Sequence, residues 1–172
     1  MDTYMDTKIY LSKMENMFKV YDRLYVGSLR DCFHQKEGWA TVHACKIPCH
    51  QMAVGYQKSL PKTHPQYLVY DCPKNLYLNM IDPSEPLFMP PLFSEFLKFA
   101  RYHWGAGQNL LIHCNQGESR APSLALLFLA KALGALPTES YGQAFQEFVK
   151  LYPPYSPGLG IQTYLWKNWG MF

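Results

Sequence analysis

The chain has 172 residues, of which 48% are hydrophobic and 16% aromatic, a composition that suits one globular domain and excludes a disordered protein. Its net charge is only +3 and no run of Lys or Arg occurs, so a nucleic-acid-binding tail is not expected. No apolar stretch reaches the length of a membrane span, and residues 1–8 are too polar and acidic for a signal peptide.

Residues 1–19 show little pattern and are interpreted as a lead-in, and a single domain is expected over residues 20–172. Short apolar runs bounded by turn residues predict five strands. These lie at 24–27, 39–45, 67–70, 76–80 and 110–113. The third and fourth are close enough in sequence to form a hairpin.

The helical spacing of apolar residues predicts four helices. Pro90 opens the first and Gly105 ends it. The second begins after Arg120 and is apolar on nearly all sides, so it is expected to be central and buried. Thr138 is expected to cap the third, and the fourth covers about 160–169. Together the elements predict an α/β fold whose central, mainly parallel sheet of four to five strands is flanked by helices.

Residues 46–66 contain three Pro, one Gly and several Lys and His, and they predict a long irregular segment. If the segment borders a functional site, its basic residues would favour acidic partners; a solvated face is at least as well supported. At its start, His43, Cys45, Cys49 and His50 offer thiols and imidazoles, but their spacing matches no common zinc site. A solvated loop is therefore the favoured interpretation, and no metal site is predicted.

Residues 113–120 are the one segment that predicts a chemistry. They read His113-Cys114-Asn115-Gln116-Gly117-Glu118-Ser119-Arg120. Between a buried strand and an apolar helix, the loop N–H groups would form a nest for an oxyanion, and Arg120 would add a planar fork that grips phosphate. Cys114 would lie at the floor of this nest and attack as a thiolate. The alternative is a small buried Cys that ends a core strand, followed by a Gly turn and a solvated Arg.

The pattern His113-Cys114-x-x-Gly117-x-x-Arg120 resembles the loop of the cysteine-dependent protein phosphatases. Residues 24–29 look like the strand that opens the compact dual-specificity phosphatase domain, and residues 77–82 look like its segment ending in the general-acid aspartate. The resemblance implies that residues 20–172 form a catalytic domain with the protein tyrosine phosphatase fold. It also implies a two-step reaction. Cys114 forms a phosphocysteine, Arg120 and the loop N–H groups hold the phosphate oxygens, and Asp82 protonates the leaving oxygen and then activates water.

The residues themselves leave several roles open. Asp82 lies in a loop before Pro83, which suits a general acid and equally a turn residue, and Glu85 is the alternative acid. His113 is expected to order the loop by hydrogen bonding to the backbone, or to be an ordinary buried histidine at a strand end. Ser119 is expected to tie the loop or to cap the helix.

The chain departs from the family at the residue after Arg120. The family usually has Ser or Thr there, whose hydroxyl donates to the cysteine sulfur and helps it leave in the second step, whereas this chain has Ala121. Ser123 is expected to point elsewhere on the helix. We therefore expect activity with slower hydrolysis of the phosphoenzyme. The resemblance also raises a disulfide between Cys72 and Cys114 under oxidation, whose distance the sequence does not establish.

These observations predict a phosphatase of phosphorylated proteins, with phosphotyrosine as the first substrate and phosphoserine and phosphothreonine as further candidates. The alternatives are a phosphoinositide or RNA 5′-phosphate phosphatase, and a phospho-binding module without turnover. Loops that serve polyanions tend to carry Lys or Arg, whereas here Glu118 would repel additional phosphates. Only Ala121 suggests the binding module.

The remaining expectations concern cofactors, partners, oligomeric state and cellular compartment. No cofactor, nucleic-acid partner or membrane partner is expected, and a monomer is predicted. The odd number of five cysteines, in a chain without a recognisable secretion signal, favours reduced thiols in the cytoplasm.

Overall fold

The computed structural model describes residues 16–172, and within them one mixed sheet is flanked by helices. The strands are β1 Phe18–Tyr21, β2 Leu24–Gly27, β3 Trp39–His43, β4 Val69–Cys72, β5 Asn75–Leu78 and β6 Asn109–His113. The helices are α1 Gln51–Val54, α2 Pro90–Gly105, α3 Arg120–Leu127, α4 Tyr141–Leu151 and α5 Leu159–Asn168. Short helical turns lie at Leu29–Asp31, Lys46–His50, Phe128–Ala132 and Trp169–Met171. The predicted α/β fold is confirmed.

The sheet has six strands, rather than the four to five predicted, in the order β1-β2-β6-β3-β5-β4. The four inner strands, β2, β6, β3 and β5, pair in parallel with their neighbours. An antiparallel strand lies at each edge: β1 at one, and at the other β4, which forms the predicted hairpin with β5. The additional strand, β1, has only Val20 buried, so it lacks the apolar pattern from which a strand is recognised. The sheet thus begins before residue 20, and residues 1–15 of the predicted lead-in lie outside the described residues.

Alternation along the parallel strands gives the sheet two different faces. One face contributes to the main core, beneath α2 and α3, through Leu24, Val26, Ala40, Val42, Leu110 and Ile112. The other face carries His43 at the end of β3 and His113 at the end of β6. A smaller buried cluster of Cys45, Cys49 and Tyr77 lies apart from the main core. The main core therefore excludes the two histidines, which are nevertheless fully buried.

The carboxyl ends of the four parallel strands lie side by side. His113 is in register with Gly27 of β2 and with His43 of β3, and His43 is in register with Tyr77 of β5. Because ligand sites of parallel sheets form where such strand ends meet, this edge is the expected position of a site.

The helices lie where the sequence predicts them, and the differences concern a cap and the segment 46–66. All residues of α3 are buried, as predicted for a central helix. Ser140, rather than Thr138, caps α4, because the Ser140 hydroxyl accepts from the N–H of Gln143 at 3.2 Å. The segment 46–66 is less irregular than predicted, since a helical turn and α1 occupy its first half. Among the described helices, none combines the length and the apolar character that a membrane span requires.

Candidate active site

The segment 113–120 forms the predicted strand, loop and helix, since β6 ends at His113 and α3 begins at Arg120. Cys114 and Arg120, at the two ends of the loop, are only 2% and 9% exposed. The N–H of Gly117 donates to the sulfur of Cys114 at 3.3 Å. The loop therefore curls around the sulfur of Cys114 and offers it a backbone donor.

Gly117 is required for this curl. Its φ is 77°, in the left-handed region that side chains disfavour. A Cβ at this position would also lie 3.0 Å from the carbonyl oxygen of Gly27 at the end of β2. The N–H of Cys114 lies 3.4 Å from the same oxygen, so the end of β2 lies against both Cys114 and Gly117.

The guanidinium of Arg120 is buried and has no counter-charge. Its Nη1 donates to the carbonyl of Met80 at 2.9 Å, and its Nη2 donates to Oδ1 of Asn115 at 2.8 Å. Within residues 16–172, its Nε–H has no acceptor and no carboxylate lies at ion-pair distance from it. A buried cation without a counter-charge is costly, so an anion is expected to complete the site.

Several backbone N–H groups of the loop are available to a ligand. In the described part of the chain, no acceptor contacts the N–H groups of Asn115, Gln116, Glu118 and Ser119. The side chains of Gln116 and Glu118 are exposed, so they leave the inside of the loop to the backbone. Successive unpaired N–H groups beside the N-terminus of a helix are suited to hold the oxygens of a bound anion.

Residues 152–158 brace the far side of the loop through three hydrogen bonds of 2.8 Å. The donors are the Tyr152 hydroxyl, the Ser156 N–H and the Gly158 N–H, and the acceptors are the Gly117 carbonyl, the Glu118 carbonyl and the Ser119 hydroxyl. Ser119 therefore ties the loop, and it makes no side-chain cap to α3.

Tyr152 is a site residue that the sequence does not reveal. In the helical pattern it belongs to the apolar face of α4, and nothing in its spacing distinguishes it from a core tyrosine. Burial, reinforced by the negative charges of Cys114 and Glu118, raises the pKa of Tyr152 to about 12. Its hydroxyl is therefore protonated at neutral pH and available as the donor to the loop.

Asp82 lies in the exposed loop that follows β5, next to the braced side of the loop 114–119. A Cβ at Gly158 would collide with the Asp82 carboxylate, so the carboxylate packs directly against this glycine. Gly158 is itself bonded to Ser119, and Arg120 bonds to the carbonyl of Met80, two residues before Asp82. The competing acid, Glu85, has an exposed side chain and approaches Gly160 through its backbone carbonyl.

Ala121, the departure from the family pattern, is fully buried. Among residues 16–172, no hydroxyl is bonded to the sulfur of Cys114 in its place, and the sulfur's one hydrogen-bond donor is the N–H of Gly117. The hydroxyl of Ser123 is bonded to that of Tyr155 at 2.8 Å, so Ser123 points elsewhere, as predicted.

The disulfide between Cys72 and Cys114 does not fit the fold. Cys72 ends β4, which is three strands away from β6 in the sheet. At a spacing of about 4.8 Å per strand, the two strands are roughly 14 Å apart, and the two residues are at least that far from each other. A disulfide requires Cα atoms within about 7 Å of each other. Oxidation of the native fold therefore cannot join these two residues.

His113 contacts both the loop and a second histidine. Its Nδ1 lies 3.4 Å from the carbonyl oxygen of Cys114, and its Nε2 lies 2.7 Å from Nδ1 of His43. The ring is fully buried. His113 thus contacts the loop backbone as expected, but it also belongs to a second group of side chains on the face of the sheet away from the main core.

This second group consists of Cys32, His43, Cys49 and His113, whose sulfur and ring-nitrogen atoms all lie within 4.8 Å of one another. Two of its members, His43 and Cys49, are among the candidate metal ligands of the sequence analysis. Cys32 and His113 are not, because both are distant from that segment in sequence. Of the remaining candidates, His50 instead bonds to the Tyr56 hydroxyl and to the Gln66 carbonyl.

The interpretation of residues 45–50 as a solvated loop is wrong. Cys45, Cys49 and His50 are buried, with at most 5% of each exposed. The reason is that the turn Lys46–His50 is held to the strand ends by the bond from the Lys46 N–H to the Met80 carbonyl at 2.9 Å. The thiol of Cys49 in this turn is thereby brought to the buried histidines.

The pKa shifts in this group favour a thiolate at Cys32, whose negative charge suits a site for a cation. A hydrogen bond from Cys49 lowers the pKa of Cys32, while the same contact raises the pKa of Cys49. Burial lowers the pKa of His43. The pKa of His113 is lowered by burial, but its contacts with Cys32 outweigh burial and raise it overall.

Comparison with known proteins supports the fold. No family model matches the chain, and a search of curated protein sequences also finds no match. Solved structures do match. The human tyrosine phosphatase-like serine/threonine/tyrosine-interacting protein has a TM-score of 0.64 at 16% identity, covering 91% of this chain and 97% of that chain. A variant of human DUSP28 has a TM-score of 0.64 at 19% identity, covering 91% and 95%. OH1 from the Orf virus, described as a tyrosine phosphatase, has a TM-score of 0.56 at 16% identity, covering 91% and 86%. The fold of this chain is therefore that of the compact dual-specificity protein phosphatases.

Proposed function

We propose that the chain is a cysteine-dependent phosphatase that hydrolyses phosphomonoesters of proteins, phosphotyrosine first and phosphoserine or phosphothreonine as further substrates. The observation that carries the proposal is the buried guanidinium of Arg120, which within residues 16–172 has no ion-pair partner, beside a loop in which the N–H groups of Asn115, Gln116, Glu118 and Ser119 lack acceptors. A dianionic phosphate monoester supplies the missing charge and the missing acceptors together. The same loop curls around the sulfur of Cys114, where a thiolate would face the bound phosphorus.

In the first step, the sulfur of Cys114 attacks phosphorus and the bond from phosphorus to the ester oxygen breaks. Arg120 and the loop N–H groups hold the three non-bridging oxygens, where charge develops. Asp82 donates its proton to the leaving oxygen, which would otherwise depart as an unstable alkoxide or phenoxide. The products are a phosphocysteine and the dephosphorylated side chain.

In the second step, the Asp82 carboxylate accepts a proton from a water molecule while the water oxygen attacks phosphorus. The sulfur–phosphorus bond breaks, and Cys114 returns to the thiolate form as inorganic phosphate is released. Asp82 suits both roles because it is exposed, and therefore accessible to water, and because its carboxylate packs on the brace of the loop.

The surroundings of the loop favour a protein substrate over a polyanionic one. The exposed side chains of the loop are Gln116 and Glu118, and no Lys or Arg lies between Cys114 and Arg120. Glu118 would repel a second phosphate group. Ile47, whose carbonyl accepts from Asn115, and Ile81, next to Asp82, are 59% and 53% exposed and offer apolar contact to a peptide. The domain is proposed to act on such substrates as a monomer.

Phosphate release should be measured side by side from an aryl phosphate, from phosphotyrosine, phosphoserine and phosphothreonine peptides, and from phosphoinositides and a 5′-phosphorylated RNA. We expect turnover of the aryl phosphate and of the phosphotyrosine peptides. Cys114→Ser should reduce turnover below about one per cent, because an unactivated hydroxyl is a poor nucleophile. Arg120→Lys should also fail, because a point charge does not replace the bidentate fork.

Matched controls are available in the chain. Cys72→Ser changes a cysteine at the far edge of the sheet, and Arg101→Lys changes an exposed arginine of α2, so both should retain turnover. Faster release from phosphoinositides or RNA than from any peptide would replace the proposed substrate class. Turnover by Cys114→Ser that matches the native protein would remove Cys114 as the nucleophile.

A phospho-binding module is the second candidate, and Ala121 is the observation that favours it. One structural neighbour is named a phosphatase-like interacting protein, which gives the alternative a parallel in the same fold. Phosphopeptide binding that depends on Arg120, together with no phosphate release from any substrate, would establish this alternative.

A further inference from the structure

Four separate segments of the chain bring their side chains to one point beside the loop. Cys32 follows the turn Leu29–Asp31, His43 ends β3, Cys49 belongs to the turn Lys46–His50 and His113 ends β6. Three of the four are buried and Cys32 is partly buried. Only His113 adjoins the proposed catalytic residues, so the other three have no assigned task.

Hydrogen bonds to their outer nitrogens fix both imidazoles with a lone pair toward the group. The amide of Asn75 donates to the His34 carbonyl at 2.7 Å, so its oxygen faces Nε2 of His43 at 2.9 Å and accepts a proton from it. Nδ1 of His43 is then unprotonated. Nδ1 of His113 lies 3.4 Å from the Cys114 carbonyl, an acceptor, so in the neutral ring the lone pair is on Nε2. When both rings are neutral, two lone pairs face each other at 2.7 Å, an arrangement that a cation between them would stabilise.

The two thiols lie at distances from the ring nitrogens that suit a tetrahedral metal site. With Zn–S of about 2.3 Å and Zn–N of about 2.05 Å, the edge from sulfur to nitrogen in a tetrahedral site is about 3.6 Å. Cys32 Sγ lies 3.5 Å from His43 Nδ1, and Cys49 Sγ lies 3.9 Å from His113 Nε2. The two ring nitrogens would have to separate to about 3.3 Å. A proton shared by two imidazoles would explain the short nitrogen contact, but it would give the two sulfurs no reason to converge.

We propose that Cys32, His43, Cys49 and His113 bind one zinc ion. Two thiolates and two imidazoles in tetrahedral array are the ligand set that selects zinc among the common divalent metals. The Asn75 amide and the Cys114 carbonyl are the outer partners that orient such histidine ligands. Because the protein supplies all four ligands, the ion has no open position for substrate and its role is structural. This site does not depend on the proposed reaction.

The zinc ion would hold together the segments that position the loop. The turn that precedes Cys32 bonds to the loop through the Leu29 N–H and the Asn115 carbonyl at 3.2 Å. The turn that contains Cys49 bonds to it through the Ile47 carbonyl and the Asn115 amide at 3.0 Å. Loss of the metal should therefore lower the thermal stability of the whole domain and loosen the loop, even though the metal takes no part in the chemistry.

The test is the metal content of protein purified without chelators, measured by plasma mass spectrometry for the native chain and for single variants. We expect about one zinc per chain in the native protein, in Cys72→Ser and in Cys114→Ser, and less than about one-tenth in Cys32→Ser and Cys49→Ser. Native protein that stays free of metal after zinc is added would overturn the proposal. So would zinc that is retained by Cys49→Ser, or zinc that is lost from Cys114→Ser alone, which would place the ion in the loop.

Since a ligand variant that does not fold would lose zinc for that reason alone, cobalt titration of the metal-free native chain provides a second test. Bound Co²⁺ should show the intense visible bands of tetrahedral coordination and a thiolate-to-metal charge-transfer band, and zinc should displace it. The unfolding temperature of the native chain should fall on chelation and recover with zinc. An octahedral cobalt spectrum, or an intact mass two hydrogens lighter that reports a disulfide between Cys32 and Cys49, would refute the site.

Discussion

Adding a hydroxyl at position 121 should accelerate the second chemical step. The sulfur of Cys114 receives the N–H of Gly117 and, within the described residues, no hydroxyl, and Ala121 is 0% exposed. A new donor to the departing thiolate would act in this buried setting, where a hydrogen bond to a charged group contributes about 1.5–3 kcal/mol. That range corresponds to a roughly ten- to hundredfold faster step. In Ala121→Ser we therefore expect the slow hydrolysis of the phosphocysteine to speed up by this factor.

Rapid mixing with an aryl phosphate separates the two steps. The native protein should release a burst of aryl alcohol of about one equivalent and then turn over slowly, because the phosphocysteine accumulates. Ala121→Ser should show a smaller burst and a faster steady state. Ala125→Ser is the matched control, since it adds the same hydroxyl to an equally buried position of α3 one turn further from the loop. Absence of a burst in the native protein, with no gain in Ala121→Ser, would mean that another group already stabilises the sulfur or that phosphorylation limits the rate.

Asp82→Asn should slow release from alkyl phosphates more than release from activated aryl phosphates; if Glu85→Gln has that effect instead, Glu85 is the acid. Tyr152→Phe should lower the free energy of unfolding in urea by about 1–3 kcal/mol, because it leaves a buried loop carbonyl without its donor. Between pH 10 and about 12 the native protein should lose stability, because the Tyr152 hydroxyl ionises in the unfolded chain while burial keeps it protonated in the folded one; Tyr152→Phe should lose stability less steeply. Oxidation of the native fold should leave Cys72 and Cys114 unlinked, as peptide mapping would show, and a mapped bridge between them would contradict the strand order.

The loop and its flanking elements were predictable because local pattern determines them. An apolar strand, a glycine turn and an apolar helix follow one another between residues 109 and 127, and each has the packing that its own sequence indicates. The hairpin of β4 and β5 was predictable for the same reason. Each of these features depends on residues adjacent in sequence, so periodicity and turn chemistry suffice.

What the sequence could not reveal depends on contacts between distant residues. Tyr152 reaches Gly117 across 35 positions, and His43 reaches His113 across 70. Neither distance leaves a spacing signal, and the position of Cys32 relative to both histidines depends on the order of β2, β6 and β3 in the sheet. The edge strand β1 was missed because three of its four residues are exposed. Burial of the turn Lys46–His50 likewise follows from the sheet beneath it rather than from its own polar composition.

The brace formed by residues 152–158 has a consequence for the chain as it leaves the ribosome. A nascent chain that has been synthesised only through Arg120 contains Cys114 and Arg120, yet it lacks the three groups of residues 152–158 that bond to Gly117, Glu118 and Ser119. The same is true of any fragment that stops before residue 152. The proposed nucleophile is therefore synthesised before the residues that brace its loop, so an incomplete chain would carry Cys114 without the braced loop around it.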